Sequence, residues 1–326
     1  MAVPSGAQAG KEGDPMKPKV YIDGKEGTTG LQIYDRLTKR ADIDLLLIDE
    51  DKRKDPQERK KLMDAADIVF LCLPDAAAVE AVELVESPST RIIDASTAHR
   101  VAPGWVYGFP ELGPGQKEGI RHAGRVANPG CHATGFISVV YPLAAMGLLP
   151  KDACLSAFSL TGYSGGGKKM IAQYEAADKG TELFAPCPYG MGQGHKHLPE
   201  MQKICGLTHR PVFTPIVDDY YKGMATTVPF HMSQMQGVSS LEEVRQRLAD
   251  YYGGQTMVRV ADATDTAKLY ANAQAGKDTL VLYAAGNDEQ FTITALFDNL
   301  GKGASGAAVQ NMNLMLGFDE ATGLNL

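Results

Sequence analysis

The chain has 326 residues, of which 44% are hydrophobic and 22% are charged, and its formal net charge is −7. This is an ordinary globular balance, and the length is enough for two domains with their own cores. No lysine- or arginine-rich block dominates and no apolar run reaches the length of a membrane span, so neither nucleic acid nor a membrane is an expected partner. Anionic ligands remain possible, because local cations and helix N-termini can bind them.

The cysteines and the first residues bear on the cellular compartment. The five cysteines are Cys72, Cys131, Cys154, Cys187 and Cys205. An odd number without a CxxC pair argues against a disulfide framework or a zinc ribbon and suits a reducing cytoplasm. Residues 1–16 are small, polar and glycine-rich, without the apolar centre of a signal peptide, and we expect a disordered extension or a tag.

The first part of the chain alternates short apolar strands with helices. The predicted strands are 19–23, 44–48, 67–74 and 91–96, and the predicted helices are 29–39 and 75–86. The segment 44–48 has the continuous apolar pattern of a buried strand. The alternation predicts βαβ units, and hence an α/β domain of the Rossmann type with a parallel sheet.

After about Val126 the pattern changes. The predicted strands are 212–217, 225–231, 280–283 and 290–296, and the predicted helices are 241–251 and 303–316. The glycine-rich segment 161–167 is predicted to be a flexible loop. Longer, more alternating strands indicate an α+β domain with an antiparallel or mixed sheet.

A glycine-rich turn follows the first strand and opens the first helix. It contains Gly24, Gly27 and Gly30 in a GxxGxxG spacing, with Thr28 and Thr29 between the last two glycines. Glycines allow the backbone to approach a pyrophosphate, and the helix N-terminus supplies N–H groups with positive potential. The two threonine hydroxyls can add hydrogen bonds. This turn predicts a dinucleotide site.

The segments after the other strands bear on the identity of the dinucleotide. Residues 49–51 are acidic and could hold a ribose 2′-hydroxyl, whereas residues 52–54 are basic and could hold a 2′-phosphate. We favour NADP(H), with Arg53 as the phosphate partner. Pro74 and Ser96 follow the third and fourth strands at the carboxyl edge of the sheet, where we expect them to contact the cofactor.

The segment from Asn128 to Cys131, Asn-Pro-Gly-Cys, precedes a helical run over 133–145. A thiol at a helix N-terminus is expected to have a lowered pKa, because the helix dipole and the free N–H groups favour the thiolate. Cys131 is therefore the predicted nucleophile, supported by Asn128. His132 is expected to point away from it, and Cys72, inside an apolar strand, is expected to be a core residue.

Thiolate chemistry needs a proton donor and acceptor, and the sequence Gly-His-Lys-His-Leu-Pro-Glu supplies the candidates. His195 and His197 are both available as the acid/base group, and Glu200 is placed to orient an imidazole. A metal site is not predicted, because no third ligand has a suitable spacing.

Two further segments suit anions. Arg100 follows the fourth strand and could bind a phosphate or a carboxylate through two hydrogen bonds. The segment 164–169 is not a P-loop, because GxxxxGK[ST] is absent, but its backbone N–H groups and two lysines suit an anion. We expect Ser164 to support the substrate and Gly165 to contact the cofactor.

Six motifs together resemble a known family. They are GTTGLQI, DASTAHR, VANPGCHATG, GYSGGGKKM, GHKHLPEM and DNLGKGASGAAVQNMN. The chain after Lys17 resembles the N-acetyl-gamma-glutamyl-phosphate reductases of the shorter type 2 group, within a wider group that includes aspartate-semialdehyde dehydrogenase. The NPGC and GHKHLPEM motifs are much more specific than the glycine turn.

The resemblance implies reversible NADP-dependent reduction of N-acetyl-gamma-glutamyl phosphate to the semialdehyde, with phosphate released, in arginine biosynthesis. Cys131 falls on the family's nucleophile and His195 on its acid/base position, although His197 is close enough to leave this assignment open. Asn299 lies where a nicotinamide contact is expected. The substrate is thus a small acyl phosphate, turned over through a cysteine thioester.

The resemblance also implies a domain arrangement. The C-terminal helix of the family packs on the cofactor domain, which would then comprise residues 17–129 and 300–326, with 130–299 as the catalytic and oligomerisation domain. A homodimer or a homotetramer is expected. Two other functions stay open: an aspartate-semialdehyde dehydrogenase-type reductase of another acyl phosphate, and an NADP(H) sensor without catalysis. An intact Cys131 and His195 argue against the sensor.

Overall fold

The computed structural model describes residues 17–262 and 268–326, so the expected extension over residues 1–16 lies outside the described residues. Among the described residues, the first sheet has six strands: β1 (Lys19–Asp23), β2 (Asp44–Leu46), β3 (Ile68–Leu71), β4 (Arg91–Asp94), β5 (Val106–Tyr107) and β6 (Arg125–Ala127). Their spatial order is β2-β1-β3-β4-β6-β5, and neighbouring strands are parallel throughout.

Four helices connect these strands: α1 (Thr28–Leu37), α2 (Pro56–Ala65), α3 (Asp75–Leu84) and α4 (Gln116–His122). Strand β3 is fully buried, with Ile68, Val69, Phe70 and Leu71 each 0% exposed, because helices cover both faces of the sheet. From β1 the chain passes first to β2 on one side and then to β3 on the other. The carboxyl ends of β1 and β3 therefore form the switch point of the sheet, where open α/β sheets bind ligands.

Among the described residues, the second sheet has seven strands: β7 (Ser156–Gly162), β8 (Cys187–Pro188), β9 (Val212–Asp218), β10 (Met224–His231), β11 (Val258–Val260), β12 (Leu280–Gly286) and β13 (Gln290–Phe297). Their order is β11-β12-β13-β10-β7-β9-β8. The sheet is mixed, because β7 pairs with β9 and β11 with β12 in parallel, whereas the other pairs are antiparallel. The predicted fold class is confirmed.

The remaining helices are α5 (Cys131–Ala145), α6 (Gly167–Glu175), α7 (Leu198–Ile204), α8 (Leu241–Tyr251) and α9 (Gly306–Leu316). Helix α5 is the central helix of the second half, and most of its residues are buried. Helix α9 returns to the first sheet, where Ala308, Val309 and Met312 share an apolar cluster with Val20 and Ile93. Within the described residues, none of the helices has the length and apolarity needed to cross a membrane.

Three expectations from the sequence need correction. The segment 44–48 is not a buried strand, because β2 ends at Leu46 at the edge of the sheet and Leu47 is 57% exposed. The segment 161–167 is not an irregular loop but the end of β7, a 3-10 turn and the start of α6, and the buried Ser164 donates its N–H to Tyr221 O at 3.0 Å. The last helix, predicted over 303–316, begins earlier with a π-helical turn at Gly301–Ser305, and its α-helical part starts at Gly306.

Candidate active site

A cavity of about 510 Å³ has walls from both halves of the molecule. The first half contributes the glycine-rich turn and Arg100. The second contributes Cys131, the segment after β7 and the histidine segment. The cavity therefore brings the predicted dinucleotide turn and the predicted nucleophile to one place.

The glycine turn is shaped by close backbone contacts. Gly24 has φ +84°, and a Cβ on it would lie 2.5 Å from the carbonyl oxygen of Cys72. A Cβ on Gly30 would lie 2.4 Å from the carbonyl oxygen of Gly24. Both positions therefore require glycine, Gly24 through its left-handed backbone and Gly30 through the tight crossing of turn and helix. Gly24 shapes the turn without lining the cavity.

The rest of the turn faces the cavity, which is lined by Gly27, Thr28, Thr29 and Gly30. Helix α1 starts at Thr28, and its first turn has no acidic residue. Among the described residues, no side chain caps its first N–H groups. A Cβ on Gly27 would meet nothing closer than 3.6 Å, so the space beside it is open. Unpaired N–H groups and an open glycine surface fit the pyrophosphate of a dinucleotide.

Besides Gly24, three residues expected to contact the cofactor are not among the described residues that line the cavity. Pro74 immediately precedes α3. The Ser96 hydroxyl donates to Asp94 Oδ2 at 2.7 Å and accepts from the Ala98 N–H at 3.1 Å, so its hydrogen bonds are made within its own turn. Arg53 is exposed and lies 3.3 Å from Glu50.

Cys131 is the first residue of α5, is partly buried and lines the cavity. The expectation of a lowered pKa is wrong for this structure. Burial raises the pKa of the thiol, and this outweighs the opposing effects of Arg100, of the His132 N–H and of Lys196. The physical reason is that burial destabilises the thiolate by removing its water more than the helix end and the nearby cations stabilise it.

Arg100 is held by acceptors on three sides. Its Nε donates to the Asn128 carbonyl at 3.0 Å, its Nη1 to Glu200 Oε1 at 3.0 Å and its Nη2 to the Ala95 carbonyl at 3.2 Å. Glu200 also accepts from the Tyr107 hydroxyl at 3.0 Å. Arg100 lines the cavity, and two of its five N–H donors remain for a ligand.

This arrangement corrects the role expected for Glu200. The side chain is 2% exposed and its oxygens contact Arg100, Tyr107 and the Gly130 N–H, so within the described residues it orients a guanidinium and not an imidazole. Burial raises the pKa of the Glu200 carboxyl, although Arg100 and the two other donors lower it. Sequence spacing could not show this contact, because Arg100 precedes Glu200 by 100 residues.

The two candidate histidines are in contact. The backbone N–H of His197 donates to His195 Nδ1 at 3.2 Å, so a neutral His195 ring carries its proton on Nε2. Burial is the main cause that lowers the pKa of His195 to about 4, followed by the charges of Lys196 and Arg100. Burial also lowers the pKa of His197 well below its usual value, and its Nδ1 has no partner among the described residues. Both rings are neutral at neutral pH.

The sequence predicted that His132 points away from Cys131, and in the structure its ring joins the cluster formed by His195 and His197. Its ring centroid lies 5.4 Å from that of His195 and 5.7 Å from that of His197. Its Nε2 lies 2.8 Å from the hydroxyl of Tyr189, a cavity-lining residue that the sequence analysis missed. A helix turns by about 100° per residue, so His132 points away from Cys131 but towards β7. Tyr189 belongs to no motif that could have identified it.

The remaining predicted residues are Asn299, Ser164, Gly165 and Asn128. Asn299 Nδ2 donates to Ser164 Oγ at 3.0 Å, and a Cβ on Gly165 would lie 3.5 Å from the same amide nitrogen. Asn128 Nδ2 donates to the Ala304 carbonyl at 3.0 Å. All four predicted residues line the cavity. The part of the chain that the structure describes contains no group of three or more His, Cys, Asp or Glu side chains that could hold a metal ion.

Two family models match the chain. One, described as the NAD binding domain of semialdehyde dehydrogenase, matches residues 19–120. The other, described as the semialdehyde dehydrogenase dimerisation domain, matches residues 131–299.

Among curated proteins, N-acetyl-gamma-glutamyl-phosphate reductase 2 of Nostoc sp. is 47% identical over 320 residues, which cover 94% of this chain and 99% of that protein. N-acetyl-gamma-glutamyl-phosphate reductase of Brucella anthropi is 50% identical over 309 residues, covering 93% and 99%.

Among solved structures, aspartate semialdehyde dehydrogenase II of Vibrio cholerae complexed with ASA has a TM-score of 0.72 at 17% identity, covering 92% of this chain and 98% of that one. Aspartate semialdehyde dehydrogenase with NADP from Candida albicans has a TM-score of 0.64 at 14% identity, covering 92% and 99%. At these identities the two structures show a shared fold.

Proposed function

The chain belongs to the N-acetyl-gamma-glutamyl-phosphate reductase family, and from this premise we propose that it reduces N-acetyl-gamma-glutamyl phosphate to N-acetylglutamate semialdehyde with NADPH. The reaction is reversible, releases phosphate and is a step of arginine biosynthesis. One observation carries the proposal: Cys131, at the start of α5, shares a cavity with the open glycine turn at the start of α1.

In this proposal the Cys131 thiolate attacks the acyl carbon of the substrate. The S–C bond forms, phosphate leaves with the electron pair of the C–O bond, and the acyl group remains as a thioester on Cys131. NADPH, when bound, supplies the hydride that reduces this thioester. The resulting hemithioacetal on Cys131 then collapses to the aldehyde and the free thiol.

We assign His195 as the acid/base group, with His197 as the alternative. The support for His195 is its position on the cavity wall and the hydrogen bond from the His197 backbone N–H to its Nδ1, which orients the ring. The support for His197 is its Nδ1, which has no partner among the described residues. Because both rings are neutral at neutral pH, either can accept the thiol proton, and the imidazolium so formed can then donate it to the reacting oxygen.

Arg100 is assigned to the phosphate of the substrate. Its guanidinium is buried, is oriented by the Asn128 carbonyl and Glu200, and keeps two N–H donors available. A fixed fork of this kind binds phosphate oxygens with two parallel hydrogen bonds. Glu200 therefore supports the substrate through Arg100, and Asn128 supports it through its backbone carbonyl.

The cofactor is assigned to the wall that begins at the glycine turn. Gly27, Thr28, Thr29 and Gly30 would hold the pyrophosphate. Arg53 would hold the 2′-phosphate of NADP(H), because Glu50 joins it to Lys25 of the glycine turn, with the Lys25–Glu50 pair at 3.4 Å.

At the other end of the cofactor, Asn299 would contact the nicotinamide, beside Ser164 and Gly165. Direct contacts are not proposed for Pro74 and Ser96, which do not line the cavity among the described residues.

We also propose the division into residues 17–129 with 300–326 and residues 130–299, supported by the packing of α9 in the core of the first sheet. The second part matches a dimerisation domain, so the chain would form a homodimer or a homotetramer through the second sheet. Phe158 and Val212 lie on adjacent strands of that sheet and are 39% and 59% exposed. The five unpaired thiols suit the cytoplasm.

The decisive assay is phosphate-dependent reduction of NADP⁺ and of NAD⁺, with N-acetylglutamate semialdehyde and aspartate semialdehyde compared. We expect turnover with the acetylated substrate and NADP⁺. Turnover with aspartate semialdehyde alone would keep the thioester chemistry and contradict the assigned substrate. Tight NADP(H) binding without turnover of either aldehyde would favour a sensor.

A further inference from the structure

A row of four polar side chains runs from the interior of the second sheet to the cavity. Thr226 Oγ1 lies 2.8 Å from Ser159 Oγ, Ser159 Oγ lies 2.8 Å from His132 Nδ1, and His132 Nε2 lies 2.8 Å from the Tyr189 hydroxyl. Thr226 and Ser159 are 0% exposed and His132 is 3% exposed. We call this row the Thr226–Tyr189 chain. The mechanism described above does not use it.

The direction of the hydrogen bonds in the Thr226–Tyr189 chain is fixed by its buried end. Among the described residues, Thr226 Oγ1 has one hydrogen-bond partner, Ser159. A Cβ on Gly135 would lie 2.3 Å from Thr226 Oγ1, so α5 packs tightly against that oxygen. The Thr226 hydroxyl can place its hydrogen only on Ser159, because a buried donor without an acceptor is unfavourable.

The direction then follows from one residue to the next. Ser159 accepts from Thr226 and donates its own hydrogen to His132 Nδ1. Burial lowers the pKa of His132 to about 3, so its ring is neutral and has a single N–H. With Nδ1 accepting, that N–H is on Nε2 and donates to the Tyr189 oxygen. The opposite direction would leave the Thr226 hydrogen inside the sheet without an acceptor.

As a result, the Tyr189 oxygen accepts a hydrogen bond from His132, and the hydroxyl can donate its own hydrogen to a group in the cavity. Tyr189 and Cys131 line the same cavity, and the Tyr189 N–H donates to Pro215 O at 3.0 Å, which fixes the backbone beside β9. Burial, followed by the negative charge of a Cys131 thiolate, raises the pKa of the Tyr189 hydroxyl above its usual value. The hydroxyl thus stays protonated, in the cavity that Cys131 also lines.

We propose that Tyr189 is a catalytic residue that donates a hydrogen bond to the acyl oxygen while the oxygen carries negative charge. This inference rests on the proposed function. When Cys131 sulfur bonds to the acyl carbon, the π pair of the C=O bond moves to oxygen, and Tyr189 O–H and that oxygen form a stronger hydrogen bond. When the C=O bond re-forms, the phosphate C–O bond breaks and phosphate leaves with its electron pair. Tyr189 keeps its proton throughout, and His132 N–H supports its oxygen.

The first test is Tyr189→Phe, which removes the hydroxyl and keeps the ring. Loss of one donor of this kind lowers kcat by about 100- to 1,000-fold, and we expect such a fall with little change in KM. Tyr270→Phe is the matched control, because Tyr270 is 69% exposed. A Tyr189→Phe variant with kcat within about threefold of this control would overturn the inference while leaving the reductase activity established.

A second measurement separates an action on the acyl oxygen from an action on the thiol. Alkylation of Cys131 by iodoacetamide needs the thiolate but involves no acyl oxygen. We expect Tyr189→Phe to leave the rate of alkylation and its pH dependence unchanged. A shifted pH profile would show that Tyr189 acts on Cys131 and would overturn the inference.

The direction of the chain is tested at Ser159. Ser159→Ala removes the donor to His132 Nδ1, so the His132 hydrogen is no longer held on Nε2, Tyr189 can give its hydrogen to His132, and we expect kcat to fall by about three- to tenfold. Thr226→Val should lower kcat less, because Ser159 can then place its hydrogen only on His132 and the direction is kept. Equal effects of the two substitutions would contradict the directional argument. A wild-type protein without reductase activity would overturn the proposed function and this inference with it.

Discussion

The molecule presents two helix N-termini to one cavity, and they are built from the same parts. Helices α1 and α5 both follow a glycine, Gly27 and Gly130, in an extended conformation. Neither helix has an acidic residue in its first turn, and neither receives a side-chain cap from the part of the chain that the structure describes. A Cβ on Gly27 would meet nothing closer than 3.6 Å. A Cβ on Gly130 would lie 2.4 Å from Arg100, 2.5 Å from His197 and 2.6 Å from Glu200.

The comparison shows that the surroundings of a helix N-terminus decide its chemistry. The open end of α1 offers N–H groups and space, which suit an incoming anion. The crowded end of α5 is surrounded by charged and aromatic groups, and burial there raises the pKa of Cys131 despite the helix dipole. The first end is therefore assigned to binding, and the second to the control of a nucleophile.

The largest effect is expected at the thiol itself. Cys131→Ser should lower turnover by at least about a thousandfold, because an alcohol is a far weaker nucleophile near neutral pH. NADPH binding should stay within about threefold of wild type, since the glycine turn is unchanged. Steady-state assays and fluorescence titration measure both quantities. Cys187→Ser is the control, because Cys187 is exposed. Substantial turnover by Cys131→Ser would remove Cys131 from the chemistry.

The crowded end of α5 is tested by Gly130→Ala. The added methyl group must displace Arg100, His197 or Glu200, all of which are buried. A misplacement of about 1 Å can cost about 100-fold in rate, so we expect a fall in kcat of this size with NADPH affinity preserved. Equal losses in kcat and in NADPH affinity would show that the two helix ends do not act separately.

The free energy of unfolding in acid should depend on the buried imidazoles near the N-terminus of α5. Burial is the leading cause that lowers the pKa of His132 to about 3 and that of His195 to about 4. Between these values and the usual 6.5, the unfolded chain binds more protons than the folded one, so the free energy of unfolding falls as the pH drops below 6.5.

Each such group contributes at most about 1.4 kcal/mol per pH unit. Urea unfolding at several pH values should show a shallower fall for His132→Gln than for wild type. His122→Gln is the control, because the His122 side chain is 82% exposed. Identical slopes for His132→Gln and wild type would mean that folding does not lower the pKa of His132.

The open end of α1 is tested by Gly27→Ala. Gly27 has φ −70° and the added methyl group meets no atom closer than 3.6 Å, so the fold should be kept. The methyl group fills the space assigned to the pyrophosphate, and we expect KM for NADPH to rise about tenfold, equivalent to about 1.4 kcal/mol. The rate kcat should change little. Unchanged KM would place the cofactor elsewhere.

The smallest effect is expected at Arg53, on KM for NADPH. Arg53→Ser should raise KM for NADPH about fivefold and leave KM for NADH unchanged, because the 2′-phosphate is the group that loses a partner. Lys54→Ser, a neighbouring exposed change, is the control. A similar rise with both cofactors would argue against a contact with the 2′-phosphate.

Local patterns predicted much of this molecule. The alternation of strands and helices indicated the parallel sheet, and helix α8 runs over the residues predicted for it. Short strands such as β5, β8 and β11 have two or three residues, which is too few for a periodicity to show. Strand β2 also has three residues, and its sequence does not reveal that it lies at the edge of the sheet with a single neighbouring strand.

The sequence by itself located the two helix ends, because a glycine turn after a strand and a cysteine before a helix are local signals. Only the tertiary structure decided what surrounds them. Glu200 contacts Arg100 across 100 residues, and Tyr189 reaches His132 across 57. Side-chain contacts, burial and the resulting pKa values depend on distances between remote segments. Those distances are set by the packing of the two sheets, and a local sequence pattern contains no information about them.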